Sequence, residues 1–378
     1  GIQPACPVGR RLCDWIPVFT GMTSCEIVQQ SKFMNWQELK NNPAYRVKLE
    51  KRARIFNLIR QFFEKEDFLE IDSPLLVARP GLEPNLNPME VLAHQENGRP
   101  VKGYLITSPE LSLKKALAGG LSKIFQLGKC FRDHEPWGET HNPEFTMLEW
   151  YEVGSNYKDV MRRTEELVAF VVQKLGGALK IKYQGREIDL TPPWPKLSMA
   201  EAWQKYAGAD LNNYLDYDKM AELARIKGYA ANQGDSFDDL FFKIFLSEVE
   251  PRLTELNQPV FIYDYPAPMA ALSRIKKDDG RWAERFELYI AGLELANAYS
   301  ELTDSDEQRA RFEADIEKRK ELGKGSLQID EDLIEALKNV PPCGGIALGV
   351  DRLVMLLTDS KTIDEVLFLA AGDLFNTL

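Results

Sequence analysis

Strand-like stretches recur along the chain with helical stretches between them, and this alternation limits the possible folds more than any other feature. The strand-like stretches are KIFQL, FTMLEWY, VFIYDYP, RFELYI and GIALGV, in chain order. Apolar residues at helical spacing predict a helix from Tyr45, followed by a short strand, FLEI, that stops at Pro74. Further helices are predicted at about 157–175, 198–228, 236–250 and 305–322. The pattern predicts an α+β domain with a mostly antiparallel sheet flanked by helices.

Composition narrows the functions open to such a domain. Lys and Arg total 47 against 58 Asp and Glu, a net charge of −11, whereas nucleic-acid-binding proteins normally carry a basic excess or patch. Five cysteines without a C-x-x-C pair and three histidines offer little for a zinc site. The sequence contains no run of about 18 apolar residues, which is the length that a membrane-spanning helix needs. A cytoplasmic protein without membrane contact is therefore predicted.

The first 33 residues differ from the rest of the chain. They include Cys6, Cys13 and Cys25 and show neither helical nor strand periodicity. An export signal would need a positive start, an unbroken apolar core and a small-residue cleavage site, and the segment has no such core. We expect residues 1–33 to be a disordered or non-native extension, with a genuine extension as the alternative, and residues 34–378 to form the folded domain.

The stretch 131–151 is the first candidate for a functional site, because neither a G-x-x-x-x-G-K-[ST] loop nor a G-x-G-x-x-G loop occurs in the sequence. It reads F-R-D-H-E and, after a short loop, HNPEFTMLEWY. With a period of two, the side chains that share one strand face are Phe145, Met147, Glu149 and Tyr151. A ring, an acid and a phenol on one face suit an adenine and an ammonium. The alternative is a half-exposed strand whose acid pairs with a surface lysine.

The stretch 285–301, RFELYIAGLELANAYSE, is the second candidate. A two-residue turn at 291–292 would place Glu287 opposite Ala296. Glu287 and Glu294 would then lie about 7–8 Å apart by Cα on one face, where hard oxygen ligands favour Mg²⁺ with bound phosphate. The alternative is a solvated hairpin with two spare acids.

Three further polar residues of this stretch have the opposite parity, namely Asn297, Tyr299 and Glu301. They can serve the same pocket only if one strand carries an extra residue. We therefore expect a β-bulge between Glu294 and Asn297 if the whole stretch lines one site.

Small residues alternate with large apolar ones in the third candidate, GGIALGVDR. Gly345, Ala347 and Gly349 would leave one strand face nearly bare, as needed where a flat ligand lies on backbone. Arg352 follows at the start of a helix and suits phosphate by its charge and fork geometry. The alternative is a buried strand with tight helix packing above it.

Together these stretches resemble one family. F-R-x-x-E, HNPEFTMLEWY, RFELYIAGLELANAYSELTD and GIALGVDRLVML are similar to motifs 2 and 3 of class II aminoacyl-tRNA synthetases, in their lysyl branch. The predicted helix and strand over 45–74 resemble motif 1, the dimer element of that family. The resemblance covers about residues 45–370 and implies a homodimeric class II catalytic domain.

Within this family the chain resembles the elongation factor P–(R)-β-lysine ligases, which are lysyl-tRNA synthetase paralogues. Only 44 residues precede Tyr45, too few for an anticodon-binding OB domain, so we expect none. Lysyl-tRNA synthetases resemble G-L-G-I-G-I-D-R in this motif, with glycine at the position of Ala347. The methyl group of Ala347 would crowd the α-amino group of a bound amino acid. The resemblance implies that ATP and Mg²⁺ activate (R)-β-lysine, or lysine, as an adenylate, and that a lysine of elongation factor P accepts it. tRNA is not expected as a partner.

Three other functions stay open. A stand-alone lysyl-tRNA synthetase would charge tRNA, and a small-molecule amide ligase would differ only in its acceptor. An inactive regulatory paralogue would bind without catalysis. The intact Arg132, Glu287, Glu294 and Arg352 argue against the last of these.

Matching positions to the family motifs implies a role for each candidate residue. Arg132 and Arg352 are the catalytic residues, and Glu287 and Glu294 are the Mg²⁺ ligands. The ATP-binding set is Arg132, Asp133, Glu135, His141, Asn142, Phe145, Glu287, Glu294, Leu295, Gly349 and Arg352. The amino-acid set is Ser108, Pro109, Glu110, Glu149, Tyr151, Asn297, Tyr299, Glu301 and Ala347.

Within these sets, the resemblance implies that Phe145 and Arg352 sandwich adenine. Either His134 or Glu135 could stand in place of the family's motif 2 acid, and the chemistry favours Glu135. Ser108 is expected to cap a helix whose first residue is Pro109. An acid such as Glu110 in a first turn is favourable even without a ligand.

Overall fold

A computed structural model describes residues Trp36–Phe375, so the prediction for residues 1–33 lies outside the described residues. The strands are β1 (Leu69–Glu70), β2 (Leu76–Val77), β3 (Glu90–His94), β4 (Pro100–Leu105), β5 (Lys123–Phe131), β6 (Glu144–Val153), β7 (Lys180–Tyr183), β8 (Arg186–Asp189), β9 (Lys196–Ser198), β10 (Val260–Pro266), β11 (Trp282–Ile290), β12 (Leu293–Ser300) and β13 (Cys343–Gly349). The α-helices are α1 (Trp36–Asn41), α2 (Pro43–Lys65), α3 (Glu110–Ala118), α4 (Tyr157–Lys174), α5 (Met199–Ala202), α6 (Tyr217–Ile226), α7 (Phe237–Ile244), α8 (Glu250–Thr254), α9 (Ser305–Glu321), α10 (Glu331–Leu337), α11 (Val350–Leu357) and α12 (Ala371–Phe375).

An eight-stranded sheet dominates the structure, in the order β1-β5-β6-β13-β12-β11-β10-β9. Its pairs are antiparallel except at the two ends, where β1 runs parallel to β5 and β9 parallel to β10. A three-stranded sheet, β2-β4-β3, and the hairpin β7-β8 complete the strands. The predicted α+β class with a mostly antiparallel sheet is confirmed.

One face of the large sheet packs against α2, α4 and α11 and forms the main core. Phe63 of α2 stacks on Phe125 of β5 at 4.7 Å and lies 5.2 Å from the Trp150 ring of β6. Every second residue of a strand points to the same face, so the neighbours of Trp150 point the other way. This leaves the opposite face of β6, β13, β12 and β11 available for a site.

The helix predicted over 198–228 is broken in the structure, whereas the helix predicted over 236–250 is present as one continuous helical stretch. In the first, the helix ends at Gly208, which has a left-handed φ of 63°. In the second, a π-helical turn at Phe245–Val249 joins α7 to α8, and the helical stretch continues to Thr254. The helix α10 was not predicted.

Other local predictions are confirmed. The helix α2 buries Ile55, Leu58, Ile59, Phe62 and Phe63, as its spacing indicates. The helices α4 and α9 lie close to the predicted bounds. None of the helices between Trp36 and Phe375 is long and apolar enough to cross a membrane.

Candidate active site

A row of paired residues crosses the open face of the sheet. Glu149 on β6 pairs with Ala347 on β13, and Ala347 pairs with Asn297 on β12. Asn297 in turn pairs with Glu287 on β11. Directly paired residues of antiparallel strands share a face, so all four side chains point to one side. The three stretches singled out in the sequence therefore form one surface.

A bulge at Leu295 brings the second half of β12 onto this surface. Tyr289 pairs with Glu294 and Leu288 pairs with Ala296, which leaves Leu295 as the extra residue. The bulge that the sequence required between Glu294 and Asn297 is therefore present. The predicted pairing of Glu287 with Ala296 is wrong, because Leu295 and Ala296 both enter the apolar core and shift the register by one.

The Glu149 carboxylate is held by two hydroxyl groups at one end of the surface. Tyr151 donates to Oε1 at 2.5 Å, and Ser108 donates to Oε2 at 2.8 Å. Burial, with repulsion from Glu110, raises the pKa of Glu149 to about 8. Ser108 Oγ also accepts from the Glu110 N–H at 3.0 Å, but the N-cap of α3 is Pro109 rather than the predicted Ser108. The helix begins at Glu110 rather than Pro109, one residue later than expected.

Lys114 lies at the same end and was missed in the sequence. Its ammonium is 2.6 Å from Glu110 Oε1 and 2.7 Å from Glu301 Oε2, and the side chain is buried. Burial, opposed by Lys114, raises the pKa of Glu301 to about 7. The four-residue spacing between Glu110 and Lys114 on one helix was the available signal for this pair.

Gly345 lets two of these side chains cross β13. A Cβ at this position would collide with Glu301 Oε1 and with the Tyr151 ring. Tyr151 and Tyr299 are the register partners of Gly345 on either side. A bare backbone is therefore required where the acidic end of the surface converges.

Arginine side chains gather at the other end of the surface. The Arg132 guanidinium lies 5.0 Å from the Phe145 ring centroid. Arg352 donates to the carbonyls of Glu294 at 2.7 Å and Thr140 at 3.3 Å, and its Nη2 lies 3.0 Å from His141 Nε2. The cation over the Phe145 ring is thus Arg132, and the adenine sandwich between Phe145 and Arg352 stays a prediction.

The backbone of Gly349, predicted to border the nucleotide, lies beside Arg352 and Leu295. A Cβ on Gly349 would lie 3.7 Å from both Arg352 Cδ and the Leu295 carbonyl. Gly349 and Leu295 therefore border the same space. Burial, and then repulsion by Arg352, lowers the pKa of His141, so its ring is held neutral.

The loop after Arg132 distinguishes the two candidates for the motif 2 acid. Glu135 is 22% exposed and lies 4.0 Å from His141 Nε2, whereas His134 is 77% exposed. Glu135 is therefore the acid that faces the site. Asp133 is largely exposed and accepts from the His134 N–H at 2.9 Å, outside the cluster.

Asn142 is bound to its own surroundings. Its Nδ2 donates to the Glu144 carbonyl at 2.6 Å, and its Oδ1 accepts from the Ala371 N–H at 3.0 Å. Both ends of the side-chain amide are therefore engaged in fixing the start of β6 against α12.

Glu287 and Glu294 form a carboxylate pair beside the bulge. Arg285 donates to Glu287 Oε1 at 2.6 Å and Tyr289 to Oε2 at 2.7 Å. Burial and repulsion from Glu287 raise the pKa of Glu294 to about 7. Arg285 was missed in the sequence; its guanidinium lies 4.3 Å from the Tyr265 ring centroid.

This pair has the donor chemistry that Mg²⁺ requires, because hard carboxylate oxygens near each other repel until a cation lies between them. Between Trp36 and Phe375 no group of three or more His, Cys, Asp or Glu side chains is arranged for a metal. An ion held here would therefore need phosphate oxygens and water to complete its coordination.

The fold and this surface define the catalytic domain of a class II synthetase: an antiparallel sheet whose open face carries arginines at one end and carboxylates at the other. Residues 30–371 match the family described as tRNA synthetases class II (D, K and N), and the chain belongs to that family.

Individual relatives point to the lysyl branch. The chain is 38% identical over 351 residues to the lysine–tRNA ligase of Pelotomaculum thermopropionicum, covering 92% of this chain and 67% of the relative. It is 37% identical over 333 residues to that of Thermoanaerobacter pseudethanolicus, covering 88% and 65%. It is 39% identical over 334 residues to that of Moorella thermoacetica, covering 86% and 65%. The chain thus spans about two thirds of the length of these relatives.

Proposed function

We propose that this chain uses ATP to activate (R)-β-lysine, or lysine, as an aminoacyl adenylate and transfers the acyl group to a lysine side chain of elongation factor P. The observation that carries the proposal is the row Glu149, Ala347, Asn297 and Glu287. The row crosses the middle of the surface, between an acidic end, suited to ammonium groups, and an arginine-rich end, suited to phosphates. Residues 34–378 are the proposed catalytic domain, acting in the cytoplasm as a homodimer.

The acidic end supports a substrate with more than one amino group. Glu149, Glu110 and Glu301 supply carboxylates, and Tyr151 and Ser108 orient the first of them. Asn297 Oδ1 is a buried acceptor without a hydrogen-bond partner among the described residues. A buried acceptor of this kind is costly unless a donor reaches it, and a substrate ammonium beside Ala347 supplies one.

The arginine end supports adenylation. In this step a carboxylate oxygen of the amino acid attacks the α-phosphorus of ATP, and pyrophosphate leaves. Arg132 stabilises the charge that develops on the phosphoryl oxygens, while Arg352 holds the nucleotide against Phe145. Glu287 and Glu294 fit Mg²⁺, which would neutralise phosphate charge.

The second step needs no covalent enzyme intermediate. The neutral ε-amine of the acceptor lysine attacks the adenylate carbonyl, AMP leaves with the bonding electron pair, and the amine loses a proton. The mixed anhydride supplies the driving force, and the protein supplies positioning.

The acceptor distinguishes two candidate functions. The net charge of −11 supports a protein acceptor, because tRNA binding gains from a basic surface. The segment ALGVDRLVML, which includes Ala347, also supports a protein acceptor, because it resembles the elongation factor P–(R)-β-lysine ligases. The similarity to lysine–tRNA ligases favours tRNA instead, as the second candidate.

ATP–pyrophosphate exchange with L-lysine, (R)-β-lysine and no amino acid tests the first step. We expect exchange that depends on the amino acid and is faster with (R)-β-lysine, and none in Arg132→Ala. A transfer assay with radiolabelled amino acid, offering elongation factor P and bulk tRNA side by side, tests the second step. Label on tRNA alone would replace the proposed acceptor, and absent exchange would reject the adenylation chemistry.

A further inference from the structure

Lys114 places a positive charge inside the pocket proposed for the amino acid. The side chain is 2% exposed, and its ammonium lies 2.6 Å from Glu110 Oε1 and 2.7 Å from Glu301 Oε2. Both carboxylates belong to the acidic end of the sheet surface. The pocket that is to bind a substrate ammonium therefore already contains one of its own.

The geometry leaves part of each carboxylate free for a ligand. Lys114 contacts Glu301 through Oε2, while Oε1 of the same residue lies over the bare backbone of Gly345 on the open face. Glu110 contacts Lys114 through Oε1 alone among the described residues. Each carboxylate thus has one oxygen, Glu110 Oε2 or Glu301 Oε1, that Lys114 does not contact.

A purely structural role explains this arrangement poorly. Lys114 lies on α3 between Leu113 and Leu117, which enter an apolar cluster, so apolar residues in place of Lys114 and both its carboxylate partners would serve packing equally well. Replacing all members of a buried ion pair by apolar residues is often neutral or stabilising, so packing alone does not require these three charges.

We propose that Lys114 is a positioning residue that sets the charge of the amino-acid pocket. It cancels one of the two charges of Glu110 and Glu301, so that they accept a single side-chain ammonium in a fixed place. The remaining carboxylate facing this group, Glu149, is held separately by Tyr151 and Ser108. The inference rests on the proposed function, because that function assigns the amino acid to this pocket.

Lys114→Met tests the inference, with Lys115→Met as the matched control. Lys115 is the next residue, is half-exposed and pairs with Asp330 and Asp332 outside the site. In ATP–pyrophosphate exchange we expect Lys114→Met to raise KM for the amino acid at least about tenfold, equivalent to about 1.4 kcal/mol. KM for ATP should stay within about twofold of wild type, since phosphate binding lies at the other end of the surface.

Chemical rescue separates positioning from packing. In Lys114→Ala, added n-propylammonium should restore amino-acid affinity, whereas n-propanol should not, because only the cation replaces the lost charge. An unchanged KM for the amino acid in Lys114→Met, or equal rescue by both additives, would overturn the role of Lys114. If Lys114→Met does not fold, Lys114→Gln carries the same comparison, since it keeps a donor without the charge.

A second readout keeps this inference distinct from the proposed function. The rise in melting temperature on adding lysine reports binding without catalysis. If the wild-type protein shows this rise but no ATP–pyrophosphate exchange, the proposed adenylation is contradicted. A rise that is lost in Lys114→Met and kept in Lys115→Met still supports the positioning role of Lys114. A rise equal in both variants and wild type contradicts the inference even if exchange is active.

Discussion

Ala347 and Glu149 are register partners on neighbouring antiparallel strands, so the Ala347 methyl group lies beside the carboxylate proposed to bind the substrate. Ala347 is also the only side chain between Glu149 and Asn297 in that row. Any amino group bound between those two residues must therefore accommodate this methyl group. Whether the pocket prefers an α-amino or a β-amino group therefore depends on how that group fits beside Ala347.

Ala347→Gly should shift the preference from (R)-β-lysine toward L-lysine. One methyl group in a binding pocket is worth about 1–3 kcal/mol, so the ratio of the two kcat/KM values should change by at least about fivefold. Exchange assays with both substrates measure this ratio. Ala298→Gly is the control, because Ala298 pairs with Ile346 on the opposite, buried face. An equal ratio in both variants would remove Ala347 as the determinant.

Gly345→Ala and Gly349→Ala should behave differently, although both lie on β13 and on the same face. A Cβ at 345 collides with Glu301 and Tyr151, so we expect a loss of about 1–3 kcal/mol in the free energy of unfolding and of amino-acid affinity. A Cβ at 349 meets its nearest neighbours at an ordinary 3.7 Å, so that variant should fold normally. Urea denaturation measures the first difference.

The effect on ligands separates the two variants further. Gly349→Ala adds a methyl group beside Arg352 and should raise KM for ATP while leaving KM for the amino acid unchanged. The opposite pattern, with the amino acid affected and ATP not, would show that the two ends of the surface have been assigned in reverse.

Much of the candidate site can be predicted from the sequence, because side chains alternate between the two faces of a strand and this alternation is local. The alternation in FTMLEWY placed Phe145, Met147, Glu149 and Tyr151 on one face, and the sheet register agrees. The same reasoning required a bulge before Asn297, which the structure contains.

The remaining features depend on distant parts of the chain. Lys114 contacts Glu301 only because α3 packs near the end of β12, and no local sequence pattern predicts that contact. The predicted pairing of Glu287 with Ala296 was wrong for a similar reason, since Leu295 becomes the bulged residue through its packing in the core.

The free energy of unfolding should fall as pH rises, because Glu149 is harder to ionise in the folded chain. Its pKa lies near 8 when folded, against an ordinary value of 4.5. The folded chain therefore binds more protons between these values, and the associated stability, fully present below 4.5, is lost as pH rises through about 8. Urea denaturation from pH 5 to about 8.5 should show this decline, and Glu149→Gln should flatten it. An unchanged slope in that variant would assign the decline to other groups.

Deleting Leu295 should preserve the amino-acid end of the site, whereas deleting Ala298 should destroy it. Without Leu295 the pairs of Glu294 with Tyr289 and of Asn297 with Glu287 can both persist, since only the extra residue of the bulge is removed. Without Ala298 the residues after it, Tyr299 and Glu301, shift by one and turn to the opposite face.

Both deletions remove one apolar residue from the same strand and core, so they form a matched pair. The loss of Leu295 should cost about 2–5 kcal/mol, as for other buried leucines, and should also weaken ATP binding beside Gly349. The lysine-dependent rise in melting temperature should survive in the first variant and vanish in the second. If deleting Leu295 also abolished that rise, the bulge would be needed to hold Asn297 in place, and strand parity alone would not explain how the acidic end is built.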